Sequence, residues 1–196
     1  MTAQGLSRTS LLNGQERPTP ESLIAQLLEL EKLAKREKKV FPLSALEGAW
    51  RLTFVTGTKK AQKQTGKALG KGRYLPPWVT VAIAYTASES PDPTTPWQRG
   101  TVRNAVQLGP LQLSLSGPLK FQPQKRLLAF DFTHLVARFG GVKLYDGKIR
   151  GGQDTDTQFY EKAIANQAFF SYFYVTDEVI AARGRGGGVA LWVKVD

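Results

Sequence analysis

The sequence has no cysteine and a single histidine, His134, among its 196 residues. The first absence excludes disulfides, thiolate zinc sites and a thiol nucleophile, and leaves the redox compartment open. The second argues against a transition-metal site, which draws chiefly on imidazole and thiolate. A serine triad would have to join His134 to Asp131 on the opposite face of a strand, and no Gly-x-Ser-x-Gly elbow occurs. Asp154-Thr155-Asp156 begins like a calcium loop but lacks its glycine and closing glutamate, so helix capping explains it better. Gly66, Gly70 and Gly72 among lysines complete no phosphate loop. No catalytic constellation and no required cofactor is read. No run approaches the about 18 apolar residues of a spanning helix. Residues 1–14 hold one arginine and no apolar stretch long enough for a secretory core, so the expectation is neither transmembrane nor secreted.

Acidic residues are also scarce: 16 against 27 lysines and arginines, a net charge of +11 and a pI near 9.9. That surplus creates a positive potential able to attract nucleic acid, anionic lipid or acidic protein. Composition alone does not choose among them. The hydrophobic share of 41% with 22% charged residues suits one globular domain plus a short accessory segment.

What is present is a change of rhythm along the chain. Residues 1–18 are polar and aperiodic, which reads as a mobile tail. A helix is expected over 19–41: Thr19 caps it, Pro20 takes the first helical position, and Leu23, Ile24, Leu27, Leu28, Leu30 and Ala34 form an apolar stripe. Glu29, Glu31, Lys32, Lys35 and Arg36 are placed on the other side, and Pro42 as the stop. From Trp50 the period becomes two. Trp50, Leu52 and Phe54 share a face, as do Val79, Val81, Ile83 and Tyr85; Leu111, Leu113 and Leu115 oppose Gln112, Ser114 and Ser116 after a Gly109-Pro110 turn. Short runs at Leu119–Phe121 and Leu128–Phe132 follow, then a weak edge strand over 142–150 broken at Asp146-Gly147, and a helix between Gln153 and Gln167. Residues 169–182 read as one long strand and 189–195 as its partner. Roughly eight or nine short strands with few helices predict a mainly β fold: a closed or nearly closed antiparallel barrel over 43–196, with an open sandwich as the second choice.

A small barrel either fills its interior or holds one ligand. The candidate interior groups are Trp50, Phe54, Tyr85, Phe121, Phe130, Phe132, Tyr172, Tyr174 and Trp192, with His134 on the Phe130 and Phe132 face if that strand runs on. A solid core would use the same residues.

Leu46-Glu47-Gly48-Ala49-Trp50-Arg51-Leu52-Thr53-Phe54 resembles the opening of the plastid lipid-associated proteins, also called plastid fibrillins or plastoglobulins, in which Leu-x-Gly-x-Trp-x-Leu starts the first barrel strand. The far end is similar to that family's last hairpin: Tyr174, the acidic pair Asp177-Glu178, Arg183, Gly184 and Gly187 are kept. Ile180 stands where the family has its first arginine, and Thr176 replaces an aspartate. The resemblance implies a lipocalin-like barrel of cyanobacterial or plastid origin, in cyanobacterial cytoplasm or plastid stroma beside the thylakoid membrane. It implies a non-enzymatic protein that binds or transports isoprenoid quinones, carotenoids or related lipids and pigments. It also implies that Trp50 closes the barrel bottom beneath a basic side chain, with Arg183 as the candidate, and that Gly48 belongs to the same structural set.

Two features bear on partners. Lys59, Lys60, Lys63, Lys67, Lys71 and Arg73 form a segment without acids, followed by Trp78, which reads either as a basic lip for anionic lipid headgroups or as a solvated charge run. Arg183-Gly184-Arg185-Gly186-Gly187-Gly188 is one short copy between two strands, so it reads as a hairpin turn rather than an arginine–glycine nucleic-acid segment. The competing functional expectation is a basic adaptor with a solid barrel core, docked on an acidic photosynthetic protein or on RNA.

Overall fold

The structure is a computed structural model that describes residues 6–57, 72–88, 95–149 and 158–195. Two helices, α1 (Arg8–Leu12) and α2 (Pro20–Glu37), precede eleven strands. In order these are β1 (Gly48–Val55), β2 (Arg73–Tyr74), β3 (Val79–Ala87), β4 (Gln98–Leu108), β5 (Leu111–Gln122), β6 (Leu127–Phe130), β7 (His134–Phe139), β8 (Val142–Lys148), β9 (Ala168–Val175), β10 (Val179–Gly184) and β11 (Val189–Lys194). All pairings are antiparallel. The circuit β4-β3-β1-β11-β10-β9-β6-β5 is closed by the β4–β5 ladder, so the fold is an eight-stranded barrel.

Strand β5 divides its partners. Its second half, Leu119–Gln122, pairs with β6 inside the barrel wall, while Leu111–Ser116 pairs with β7, which in turn pairs with β8. The β3-β4-β5 sheet therefore runs past the end of the barrel and is widened there by β7 and β8 into a wing. Strand β8, read from the sequence as interrupted at Asp146-Gly147, continues through both to Lys148 as the outer edge.

Two cores flank the barrel wall. The inner one contains Trp50, Ile83, Tyr85, Val102, Leu119, Phe121, Leu128, Phe130, Tyr172, Ile180 and Trp192. The outer one lies where α2 covers β9, β10 and β11: Leu23, Leu27 and Ala34 meet Phe173, Val179, Ala181, Leu191 and Val193. Full burial of each leucine stabilises by about 1.5–3 kcal/mol.

Helix α2 starts as the sequence predicts, with Thr19 Oγ1 accepting from the Ser22 amide. It stops at Glu37 because Lys38 takes a left-handed conformation (φ 50°), before Pro42 is reached, and Arg126 Nη1 donates to the Ala34 carbonyl in its last turn. Glu31, expected to face solvent, lies on the buried stripe with Leu23, Leu27 and Ala34. Its carboxylate receives Arg183 Nε at 2.9 Å and Nη2 at 2.5 Å, a two-pronged pair that makes the position tolerable. The expected polar tail also differs: within residues 6–18, α1 is capped by Ser7, and Leu6 and Leu11 are buried in the outer core.

Residues 169–182 are two strands rather than one. Thr176 turns the chain, its amide donating to the Val179 carbonyl and its hydroxyl accepting from the Val179 amide. The helix expected from Gln153 begins outside the described residues; 158–161 are helical, and a 3-10 turn follows at Ile164–Asn166.

Candidate functional site

The two ends of the barrel are built differently. At the closed end the 3-10 turn Leu43–Leu46 crosses the mouth, and Trp50 Nε1 donates to the Leu46 carbonyl at 2.7 Å. The cation over Trp50 is Lys194, not Arg183: its Nζ stands 4.3 Å from the ring centroid and donates to the Glu47 carbonyl. Lys194 is the cross-strand partner of Trp50, whereas Arg183 is drawn outward to Glu31 and the Gly187 carbonyl. Such a cation–π contact contributes on the order of 0.5–2 kcal/mol. Gly48 makes room for it, since it has φ +101° and a Cβ there would lie 2.7 Å from Lys194 Nζ.

Above Trp50 the interior fills with aromatic rings. The Tyr85 and Tyr172 hydroxyls share a 2.6 Å hydrogen bond, and burial pushes both phenols above their ordinary range. Phe41 stacks on Phe121 at 5.6 Å, and Phe170 joins Trp192 at 5.3 Å and Phe130 at 5.1 Å. Trp50, Tyr85, Phe121, Phe130, Tyr172 and Trp192 thus occupy the interior as expected, with Phe132 half-buried against them. They pack on one another. Four clefts, of about 660, 390, 500 and 240 Å³, have none of Trp50, Tyr85, Phe121, Tyr172 or Trp192 in their walls.

Three expected interior residues lie elsewhere, and the cause is local register. A bulge between Leu52 and Phe54 turns Phe54 out of the barrel, where it is fully buried beside Tyr74 in the outer core. A second irregularity, opposite Ala181 and Ala182, inserts Phe173 between Tyr172 and Tyr174 and sends Tyr174 outward as well. His134 does not continue the Phe130 strand: β6 ends at Phe130, and His134 opens β7. Its Nε2 meets Asp146 Oδ1 at 3.0 Å, and it lines the 660 Å³ cleft, on the outer barrel face, with Arg103, Ser116, Thr133 and Tyr160. In the last hairpin Gly187 has the expected positive φ (83°), but Gly184 does not.

At the open end the lining continues onto the wing in cross-strand rows. Ile83, Asn104, Leu115 and Leu135 form one; Val81, Val106, Leu113, Ala137 and Tyr145 the next; Val79, Leu108, Leu111, Phe139 and Val142 the last. The polar groups in these rows are Asn104 and the Tyr145 hydroxyl, which donates to the Lys148 carbonyl at 3.3 Å. The reverse face carries Thr80, Gln107, Gln112, Arg138 and Lys143, then Ala84, Arg103, Ser116, His134 and Lys148. The apolar face is incompletely covered: Val81, Val106, Leu113 and Leu115 are half-buried, Tyr145 is 46% exposed and Phe139 54%. The alternation of Leu111, Leu113 and Leu115 is plain in the sequence, but no residue between 79 and 148 signals where a neighbouring strand stops and this face passes beyond the barrel.

Trp78 is 71% exposed and Arg73 is exposed, both beside the open end, because β1 and β3 run antiparallel and Val55 pairs with Arg73. Lys59, Lys60, Lys63, Lys67 and Lys71 lie outside the described residues. Among the described residues no helix is long and apolar enough to cross a membrane. No family model matches the sequence, and no curated protein or solved structure matches the chain.

Proposed function

We propose that this protein is a non-enzymatic binder of small hydrophobic molecules, of the isoprenoid, pigment or acyl-lipid class, and that it holds them at the open end of the barrel rather than in its depth. The observation that carries this reading is the apolar face of the wing, which extends the barrel lining through Leu115, Leu113 and Val106 and leaves those side chains only half-buried. Apolar area left in water favours an apolar guest by roughly 25 cal/mol per Å² removed. Asn104, half-buried at the barrel end of the rows, is suited to orient a carbonyl or hydroxyl of such a guest. The resemblance to the plastid lipid-associated proteins agrees with this class of ligand and with a place beside a photosynthetic membrane.

Organic extraction of natively purified protein followed by mass spectrometry tests the proposal. A stoichiometric apolar compound, lost in Leu113→Asp, is the expected result; clean extracts and no uptake of added quinone or fatty acid would refute it. The solid packing of Trp50, Tyr85, Phe121 and Tyr172 favours a second reading, a basic adaptor for an acidic protein. In that case Leu113→Asp leaves partner capture intact and Arg103→Glu abolishes it.

A further inference from the structure

Three turns meet at the far edge of the wing. Val79 follows the turn at Pro76–Trp78, Leu108 and Leu111 flank Gly109-Pro110, and Phe139 and Val142 flank Gly140-Gly141. The ladders place these five apolar residues side by side in one row, and the Gly140 amide donates to the Pro110 carbonyl at 3.0 Å, tying two of the turns together. Three of the five are exposed, Leu108 at 38%, Phe139 at 54% and Val142 at 65%, while Val79 and Leu111 are half-buried; Trp78 at 71% and Leu144 at 66% stand beside the row. An unpaired patch of this kind on a soluble surface marks an interaction site.

Charge selects the occupant. Strands β3, β4, β5, β7 and β8 carry five cations that reach the surface (Arg99, Arg103, Arg138, Lys143, Lys148), besides the buried Lys120, and one acid, Asp146. That acid is already engaged, by Lys143 Nζ at 2.9 Å and His134 Nε2 at 3.0 Å. Arg138 and Lys143 form the row directly behind the tips on the polar face, and Arg73 stands at the same end. A second copy of the chain would bring another net charge of +11 against this edge. An anionic bilayer instead accepts apolar tips below its headgroups and offers phosphates to the cations behind them, with tryptophan and tyrosine at the boundary.

We infer that the three-turn rim docks end-on on an anionic lipid surface, with Trp78, Leu108, Phe139 and Val142 entering the headgroup region and Arg73, Arg138 and Lys143 holding phosphates. The inference deepens the ligand-binding reading and rests on it for its purpose, because docking in this orientation faces the apolar wing toward the membrane from which a guest would come. Each cation adds about 1 kcal/mol near such a surface, so attachment is reversible and salt-sensitive.

The experiment is co-sedimentation of the full chain with vesicles of phosphatidylcholine, with and without phosphatidylglycerol, at one ionic strength. Wild type sediments with the phosphatidylglycerol vesicles only. Trp78→Ser combined with Phe139→Ser lowers the partition coefficient by about tenfold, the equivalent of ~1.4 kcal/mol, with unfolding temperature unchanged because both side chains are exposed. Arg138→Glu weakens it as well, and brominated lipid quenches wild-type fluorescence but not that of Trp78→Phe. Absence of vesicle binding, binding indifferent to these changes, or a rim variant that instead dissolves a dimer in sedimentation velocity overturns the inference. The two proposals fail separately: extractable ligand without vesicle binding removes the docking surface alone, and rim-dependent vesicle binding without extractable ligand removes the carrier alone.

Discussion

The closed and open ends of this barrel are made of the same strands and obey the same alternation, yet one is stapled shut and the other leaves its apolar rows only partly buried. At the closed end every large inward side chain meets another: Trp50 meets Leu46 and Lys194, Tyr85 meets Tyr172, Phe121 meets Phe41. At the open end β1 pairs with β3 only as far as Ala82 and then with β2, β6 pairs with β5 only from Leu119 on, and the apolar rows of the wing are half-buried or exposed. Alternation therefore supplies an apolar face, but only the enclosing neighbours turn that face into a core. A residue's chemistry is the same at both ends; its consequence is stability at one and binding at the other.

Mutations can break this contrast, and the largest effect belongs to the closed end. Trp50→Ala removes a fully buried ring and its hydrogen bond, and urea unfolding registers a loss of about 3–5 kcal/mol. Arg183→Ala removes the two-pronged partner of the Glu31 carboxylate, leaving it to Lys35 at 3.3 Å, and costs about 1–3 kcal/mol by the same measurement. Gly48→Ala forces a side chain into φ +101° and displaces Lys194, a cost on the order of 1–3 kcal/mol. Leu113→Ser on the wing costs under about 1 kcal/mol in stability, since the side chain is incompletely covered. It nevertheless weakens uptake of an apolar probe in fluorescence titration. A Leu113 change as costly as one at Trp50 would erase the distinction between the ends.

Acid sharpens the comparison from the outer core. Burial of Glu31 tends to raise its pKa, but the hydrogen bonds and charge of Arg183, aided by Lys35, outweigh it and hold the carboxyl below its ordinary value of 4.5. Because the folded value is depressed, the stabilisation is fully present above pH 4.5 and is lost as pH falls below that through the lowered value. Unfolding followed by circular dichroism between neutral and acid pH shows this loss in wild type, and Glu31→Gln removes its share of the slope.

Much of the barrel was legible in the residues. Period-two runs at 50–54, 79–85 and 111–115 named real strands, Thr19-Pro20 marked a real helix start, and Gly109-Pro110 marked a real turn. The failures have specific physical causes. Phe54 and Tyr174 were assigned inward because a regular strand would send them there, and a bulge in each strand reverses the face. Glu31 was assigned outward by its charge, although its four-residue spacing from Leu27 places it on the stripe; spacing outranks polarity once Arg183 supplies a partner. The link of Lys194 to Trp50 depends on cross-strand register, which local pattern does not contain.

The chain alone determined that a β-rich domain without thiols, with one imidazole and a surplus of positive charge, would wrap aromatic rings inside a barrel, because side-chain alternation and turn chemistry are local properties. Tertiary structure alone decided where the wall ends, which cation lies on Trp50, and that the wing's apolar rows stay only partly buried. Those outcomes depend on the relative length and register of strands far apart in sequence, and burial is a property of the neighbours a residue finds rather than of the residue itself.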